Sequence, residues 1–179
     1  MPLVIDEYPQ TKLVILGKGE EQRDVIETAA RLGIPHKVIS RFEFVSERER
    51  ILHYAAADIC VFSSIYEPFG IVSLEAMSMA KPLVVGAKGV VGFREQVIPS
   101  GPDQNGVHVN GEKPTDIVWG IKQVLMDPER AKRWGENGRK RVLQYFTWTK
   151  AAEQTIQIYQ TLPSGLEKPI EKTNAPAII

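Results

Sequence analysis

The 179-residue chain has a single cysteine, Cys60, so no disulfide can form within it. Cys60 lies in the run Asp58-Ile59-Cys60-Val61-Phe62, where a thiol is a small buried hydrophobe rather than a nucleophile. Charge of one sign is not in excess, since 22 Lys and Arg balance 22 Asp and Glu. That balance excludes the broad basic footprint of a nucleic-acid binder. Long apolar runs are missing too; none approaches the ~20 residues of a membrane-spanning helix. The opening Met1-Pro2-Leu3-Val4-Ile5-Asp6-Glu7 has no basic head and turns acidic early, unlike a secretory signal. These absences predict a cytoplasmic protein in a reducing compartment.

Several catalytic signatures are absent as well. Gly17-Lys18-Gly19 completes neither a dinucleotide fingerprint nor a Walker loop. His36, His53 and His108 lack metal-ligand spacing. Ser63-Ser64 ends an apolar run without the glycines of a nucleophile elbow. What is there is an ordinary globular composition, 43% apolar and 25% charged, at a length that predicts one domain.

Apolar runs alternate with amphipathic stretches. Strands are predicted at Lys12–Leu16, His36–Ser40, Asp58–Ser63, Pro82–Gly86 and Gly106–Val109, each short and rich in β-branched residues. Between the first two, Val25, Ile26, Ala29 and Leu32 recur at helical spacing before Gly33 and Pro35. Ser46 and Glu49 form a capping box for a helix with Ile51, Leu52, Ala55 and Ala56 on one face. A helix from about Ile71 to Met79 follows the third strand. Continuous apolar strands separated by helices define a doubly wound parallel α/β sheet covered on both faces, with ligands at the carboxyl ends of its strands.

The last third reads as helices: one capped by Thr115 or Asp116, one by Asp127 with Pro128 first, one by Thr147. The last carries Trp148, Ala152, Ile156 and Tyr159 on one stripe. The basic run from Arg130 to Arg141, interspersed with Glu129 and Glu136, reads as a solvated helix face. Residues 1–162 form the domain, and 163–179 are predicted to be a flexible tail without a core.

The candidate site is Glu67-Pro68-Phe69-Gly70-Ile71-Val72-Ser73-Leu74-Glu75-Ala76-Met77. Glu67 is placed in the loop after the third strand and Glu75 inside the following helix. The N–H groups near Gly70, Ile71 and Val72 face out of the helix start, where they and the dipole attract phosphate. Gly70 offers a ligand close approach to the backbone. The two carboxylates accept hydrogen bonds and donate none, which suits the hydroxyls of a ribose or a sugar. Phosphate at the amides with carboxylates on either side describes a nucleotide-diphosphate sugar. Two glutamates alone would be ordinary solvated surface; the apolar setting of Glu75 beside Leu74, Ala76 and Met77 argues against that.

This segment resembles the E-P-F-G-x-x-x-x-E-A-M of glycosyltransferases of the two-Rossmann-domain (GT-B) architecture, in the group-1 and glycogen-synthase-like branch. The resemblance runs from about Tyr8 to Leu162. It takes in Leu13 to Gly19, Ala55-Ala56-Ala57-Asp58, Pro82-Leu83-Val84-Val85 and Phe146-Thr147-Trp148. It implies one Rossmann-like half of a GT-B fold followed by C-terminal helices. It implies the donor domain of a retaining hexosyltransferase that moves a sugar to an acceptor hydroxyl. Glu67 is then the catalytic residue facing the donor sugar, and Glu75 the ribose ligand. The amides of Phe69, Gly70 and Ile71 form the diphosphate cradle, and Arg41 and Phe42 lie near the base. The family uses no cofactor and no metal, and this chain has no D-x-D.

Three departures from the family stand out. Ala80 replaces a glycine after the Glu75 helix, which predicts a different helix exit if the backbone there is left-handed. Gly89 and Gly92 keep only part of a paired-glycine loop, and a turn role explains them. The opening strand, its phosphate-gripping Arg and Lys, and the acceptor-binding half are absent, so the domain reads as N-terminally truncated. Lys18 and Lys88 read as solvated. In such a sheet the missing strand is central. Either the strands of Lys12 and Asp58 pair directly, or another chain supplies the strand, or the chain is a fragment. Weak or no activity alone is expected, with an acceptor-binding domain or chain as partner. The alternatives are a non-catalytic paralogue serving as a nucleotide-sugar-binding or assembly module, and a sugar-nucleotide epimerase of the same architecture.

Overall fold

The computed structural model describes residues 1–162; the predicted tail at 163–179 lies outside the described residues. The chain opens with a short helix, α1 (Pro2–Ile5), then β1 (Leu13–Leu16) and α2 (Gln22–Arg31). A 3₁₀ turn at Pro35–Lys37 leads into β2 (Val38–Arg41). His36 is therefore in the turn, not in a strand as predicted, because Pro35 at the turn's first position starts it. Next come α3 (Glu47–Ala56), β3 (Cys60–Phe62) and a two-residue strand β4 (Tyr66–Glu67). After α4 (Ile71–Ser78) and β5 (Leu83–Gly86) there are two short elements without a sequence signal, β6 (Val90–Val91) and α5 (Phe93–Gln96). The chain continues through β7 (Gly106–Val109), α6 (Pro114–Leu125), α7 (Pro128–Tyr145) and α8 (Trp148–Thr161).

Among the described residues all strand pairs are parallel, but the sheet is parted. β1 pairs with β2, β5 lies between β3 and β7, and β4 pairs with β6. Among the described residues β1 and β3 do not pair, so direct closure of the gap is ruled out for this structure. The two halves also differ in burial. Leu83, Val84 and Val85 of the central β5 are fully buried. Their two faces pack into separate clusters, one around Met77, Phe93 and Val142, the other around Val107, Val124 and Trp134. The register partners Val14 and Ile39 on β1–β2 remain 43% and 44% exposed. Cover on both faces thus holds for β5 and β7, lapses at β3, where Val61 is 37% exposed, and fails for β1–β2.

The Ser46–Glu49 capping box forms as predicted. The predicted inner face of α3 does not. Ile51, Leu52, Ala55 and Ala56 are exposed, and Tyr54 and Ala57 pack on the core instead. On α2 only Ala29 is buried. Among the described residues nothing covers the stripe on α8, where Trp148 is 87% exposed and no residue is buried. α6 begins at Pro114, after Lys113, rather than at a Thr115 or Asp116 cap. The Asp116 carboxylate instead accepts the Asn110 N–H.

The basic run on α7 is not only a solvated face. Arg130 Nη2 donates to Gln123 O at 2.6 Å, and Arg141 donates to the carbonyls of Gln96 (2.9 Å) and Glu95 (2.8 Å). Arg139 donates to Ser78 O at the end of α4. Guanidinium groups here close backbone carbonyls that the ends of α4 and α5 leave open.

Candidate functional site

The third strand delivers the chain to the site through β4, not through a free loop. Glu67 sits in β4 with Val91 of β6 as its register partner. Its carbonyl accepts the Gly92 N–H at 2.8 Å. The side chain is half-buried, and the carboxylate takes no hydrogen bond among the described residues.

Pro68, Phe69 and Gly70 then turn into α4, which starts at Ile71 as predicted. Gly70 is the N-cap with φ +79°, a left-handed conformation that only glycine adopts cheaply. The space beside it is taken, because a Cβ on Gly70 would lie 2.0 Å from the Phe93 ring. The close approach at Gly70 therefore belongs to a buried phenylalanine and not to a ligand, a correction to the sequence reading. The N–H groups of Gly70, Ile71 and Val72 meet no acceptor among the described residues, while Ser73 N–H reaches Gly70 O at 3.2 Å. These are the open donors of a first helical turn. Phe69 and Ile71, which flank them, are 54% and 55% exposed.

The turn is held from below by a buried polar cluster that the sequence reading missed. Gln96 Nε2 donates to Phe69 O at 2.6 Å. Ser73 Oγ reaches Gly70 O at 2.8 Å and also contacts Gln96 Oε1. Asn105 Nδ2 meets Gln96 O at 3.4 Å, and Asn105 Oδ1 accepts the Ile98 N–H at 2.7 Å. Gln96, Ser73 and Asn105 are all but fully buried, so each needs its partners. Gly89 has the positive φ (+95°) that its expected turn role needs, and a Cβ would also meet Ile65 O at 2.4 Å there; at Gly92 the close contact is Pro68 O at 2.5 Å.

Glu75 lies one turn beyond Ile71 on the same face of α4. Its carboxylate is gripped by α3. Arg50 Nη2 stands 2.9 Å from Oε1, Arg50 Nε 3.1 Å from Oε2, and the Tyr54 hydroxyl 3.2 Å from Oε2. Burial, and then the Glu75 charge, raises the Tyr54 pKa above the usual phenol range, which keeps its proton available to donate. Neither Arg50 nor Tyr54 carries a sequence signal, since both depend on how α3 is rotated against α4.

Arg50 also lines a groove of about 270 Å³ at the carboxyl ends of β1 and β2, with Leu16, Gly17, Lys18, Glu43, Phe44 and Val45. Arg41 ends β2, and its guanidinium pairs with Glu43. Arg41 and Phe42 are adjacent to this groove in sequence but do not line it. Lys88 pairs with Glu112 at 2.6 Å on the surface. The wider groove of about 470 Å³ lies between residues 101–104 and the start of α7 and includes none of the candidate residues. Cys60 is buried, and desolvation pushes its thiol up to about 11, as expected of a packing cysteine. No described helix is long and apolar enough to cross a membrane.

The site thus combines a parallel α/β sheet with open amides at the start of α4, between Glu67 and Glu75 in the chain. The family model for glycosyl transferases group 1 matches residues 1–141, and the chain belongs to that family. It is 35% identical over 167 residues to an uncharacterized glycosyltransferase of Methanocaldococcus jannaschii, covering 89% of this chain and 39% of that protein. It is 32% identical over 174 residues to a glycogen synthase of Mycobacterium tuberculosis, covering 94% of this chain and 39% of the synthase. Sucrose-phosphate synthase from Thermosynechococcus elongatus superposes with a TM-score of 0.75 at 28% identity, over 88% of this chain and 40% of that one. An Anabaena protein solved in complex with UDP-glucose shares the fold, with a TM-score of 0.73 at 23% identity over 90% of this chain and 45% of that one. The chain thus spans about two fifths of the length of the curated relatives named here.

Proposed function

We propose that this domain binds a nucleotide-diphosphate sugar as the donor half of a retaining glycosyltransferase, a hexosyltransferase working in the cytoplasm. One observation carries the reading: the unpaired N–H groups at the start of α4 lie between Glu67 and Glu75 at the carboxyl end of a parallel sheet. The diphosphate sits on those amides, so charge developing on the leaving group is stabilised where it forms. Glu75 accepts the ribose hydroxyls. Glu67, whose carboxylate takes no partner among the described residues, orients the donor sugar and faces the reaction centre. The base lies near Arg41 and Phe42 at the carboxyl end of β2. The likeness to a glycogen synthase and the UDP-glucose bound by one structural neighbour support this class of donor.

Transfer requires an acceptor site, which an acceptor-binding domain or chain provides; the described domain alone transfers weakly or not at all. No metal takes part in this reading; the open amides at the start of α4 stabilise the diphosphate charge. Calorimetric titration with UDP, ADP, GDP and their sugars tests it. Glu75→Ala abolishes nucleotide binding, Glu67→Ala spares the nucleotide and weakens the sugar nucleotide, and EDTA leaves both affinities unchanged. A folded protein that binds none of these ligands saturably would falsify the reading.

A further inference from the structure

The Glu75 carboxylate is already engaged. A carboxylate offers about four acceptor positions, roughly two on each oxygen. Oε2 takes two donors, Arg50 Nε at 3.1 Å and the Tyr54 hydroxyl at 3.2 Å. Oε1 takes Arg50 Nη2 at 2.9 Å and keeps one position open. A vicinal diol arrives with two donors and finds one place. Full capture of both hydroxyls therefore requires one of the present partners to leave.

Of the two, Arg50 is the one free to move. Its side chain is 36% exposed and that of Glu75 27%, and ion pairs in so wet a setting hold weakly. The guanidinium already borders the groove at the ends of β1 and β2, which gives it a place to swing into beside Glu43 and Phe44. Tyr54 is fixed by its packing on the core beneath α3, and its raised pKa keeps it a donor. With Arg50 gone, Oε1 is open and Oε2 retains one position beside the tyrosine proton. That is room for both hydroxyls.

We infer that Arg50 is a latch on the ribose subsite: its guanidinium holds the Glu75 carboxylate until a ribose diol displaces it into the neighbouring groove. This rests on the reading of Glu75 as the ribose ligand. A ribonucleotide bears the cost of opening the latch, whereas a nucleotide without the diol leaves it closed. Arg50 thus sets how strongly the domain prefers ribose, separately from any attraction its charge exerts on phosphate, which both nucleotides share.

The test compares the tightest-binding of UDP, ADP and GDP with its 2′,3′-dideoxy counterpart by calorimetry. The proteins are the wild type, Arg50→Met, Arg50→Gln and Glu75→Gln. The preference for the ribonucleotide over the dideoxynucleotide rises about two- to fivefold in both Arg50 variants, the range expected for a partly exposed ion pair. Two Arg50 variants guard against one that fails to fold. An unchanged or reduced preference in folded Arg50→Met and Arg50→Gln overturns the latch and leaves the ribose site standing. Equal affinity of the wild type for the two nucleotides, or a preference that survives Glu75→Gln, overturns the ribose role of Glu75 and the latch with it.

Discussion

Gly135 on α7 passes so close to Ala80 that a Cβ on the glycine would lie 2.0 Å from the Ala80 carbonyl oxygen. The backbone at Ala80 is left-handed (φ +56°) although the residue is not glycine, the conformation of a Schellman helix end, in which Ala80 N–H reaches Met77 O at 2.9 Å. The exit of α4 is kept, with Lys81 N–H reaching Ala76 O at 3.2 Å. The alanine carries strain at this left-handed position.

Ala80→Gly should accordingly stabilise the domain, by about 1 kcal/mol once the added freedom of the unfolded chain offsets part of the relieved strain. Gly135→Ala should destabilise it by more than that, because the new methyl meets backbone. Urea midpoints with an unchanged m-value measure both. A lower midpoint for Ala80→Gly would show that the left-handed alanine is not strained.

Gln96 is the keystone under the site turn, joined to Phe69 O, Ser73 and the Arg141 guanidinium. Gln96→Leu is close in size and removes the side-chain amide, leaving buried polar partners unmet at a cost of about 1–3 kcal/mol. We expect nucleotide affinity to fall along with stability, because the amides of Gly70 and Ile71 lose their support. Stability loss with nucleotide affinity intact would show that the turn holds itself.

The parted sheet predicts uneven local stability. Amides of β5, flanked on both sides and fully buried, should exchange with solvent hydrogen far more slowly than those of β1 and β2, which share one ladder and an exposed face. Hydrogen-exchange mass spectrometry reads this directly. Equal protection of the two halves would mean that the β1–β2 unit does not open on its own.

His108 is half-buried on β7, with Nε2 2.9 Å from Val97 O. Burial lowers its pKa below the usual imidazole value of 6.5. The unfolded chain then binds the proton more readily than the folded one. The contribution of neutral His108 is full above the unfolded pKa and is lost as pH falls through about 6.5 toward the lower folded value. His108→Gln can still donate to Val97 O and does not titrate. Its urea midpoint should fall less than that of the wild type between about pH 7.5 and about pH 5, and parallel curves would exclude the histidine.

Elements were readable in the sequence wherever one local pattern sufficed. β1, β5 and β7 follow from β-branched runs, α3 from the Ser46–Glu49 box, α7 from Asp127-Pro128, and α8 from Thr147, whose side chain accepts the Lys150 N–H at 3.2 Å. The start of α4 at Ile71, and with it the place of the candidate site, followed from Pro68 and Gly70. Faces were harder. Ile51 and Leu52 look inward by composition but point to solvent, because α3 turns Arg50 and Tyr54 toward α4 instead. Helical periodicity says which residues share a side, not which neighbour that side meets.

The order of residues alone was enough to establish the strand–turn–helix unit with its two glutamates, since capping, glycine conformation and apolar runs act over a few neighbours. Three-dimensional packing alone settled that Phe93 fills the space beside Gly70, that Gln96 supports Phe69, and that Arg50 covers Glu75. Those partners lie 23, 27 and 25 residues apart in the chain. No local propensity reaches across such separations; only the burial of a shared core brings the groups within contact.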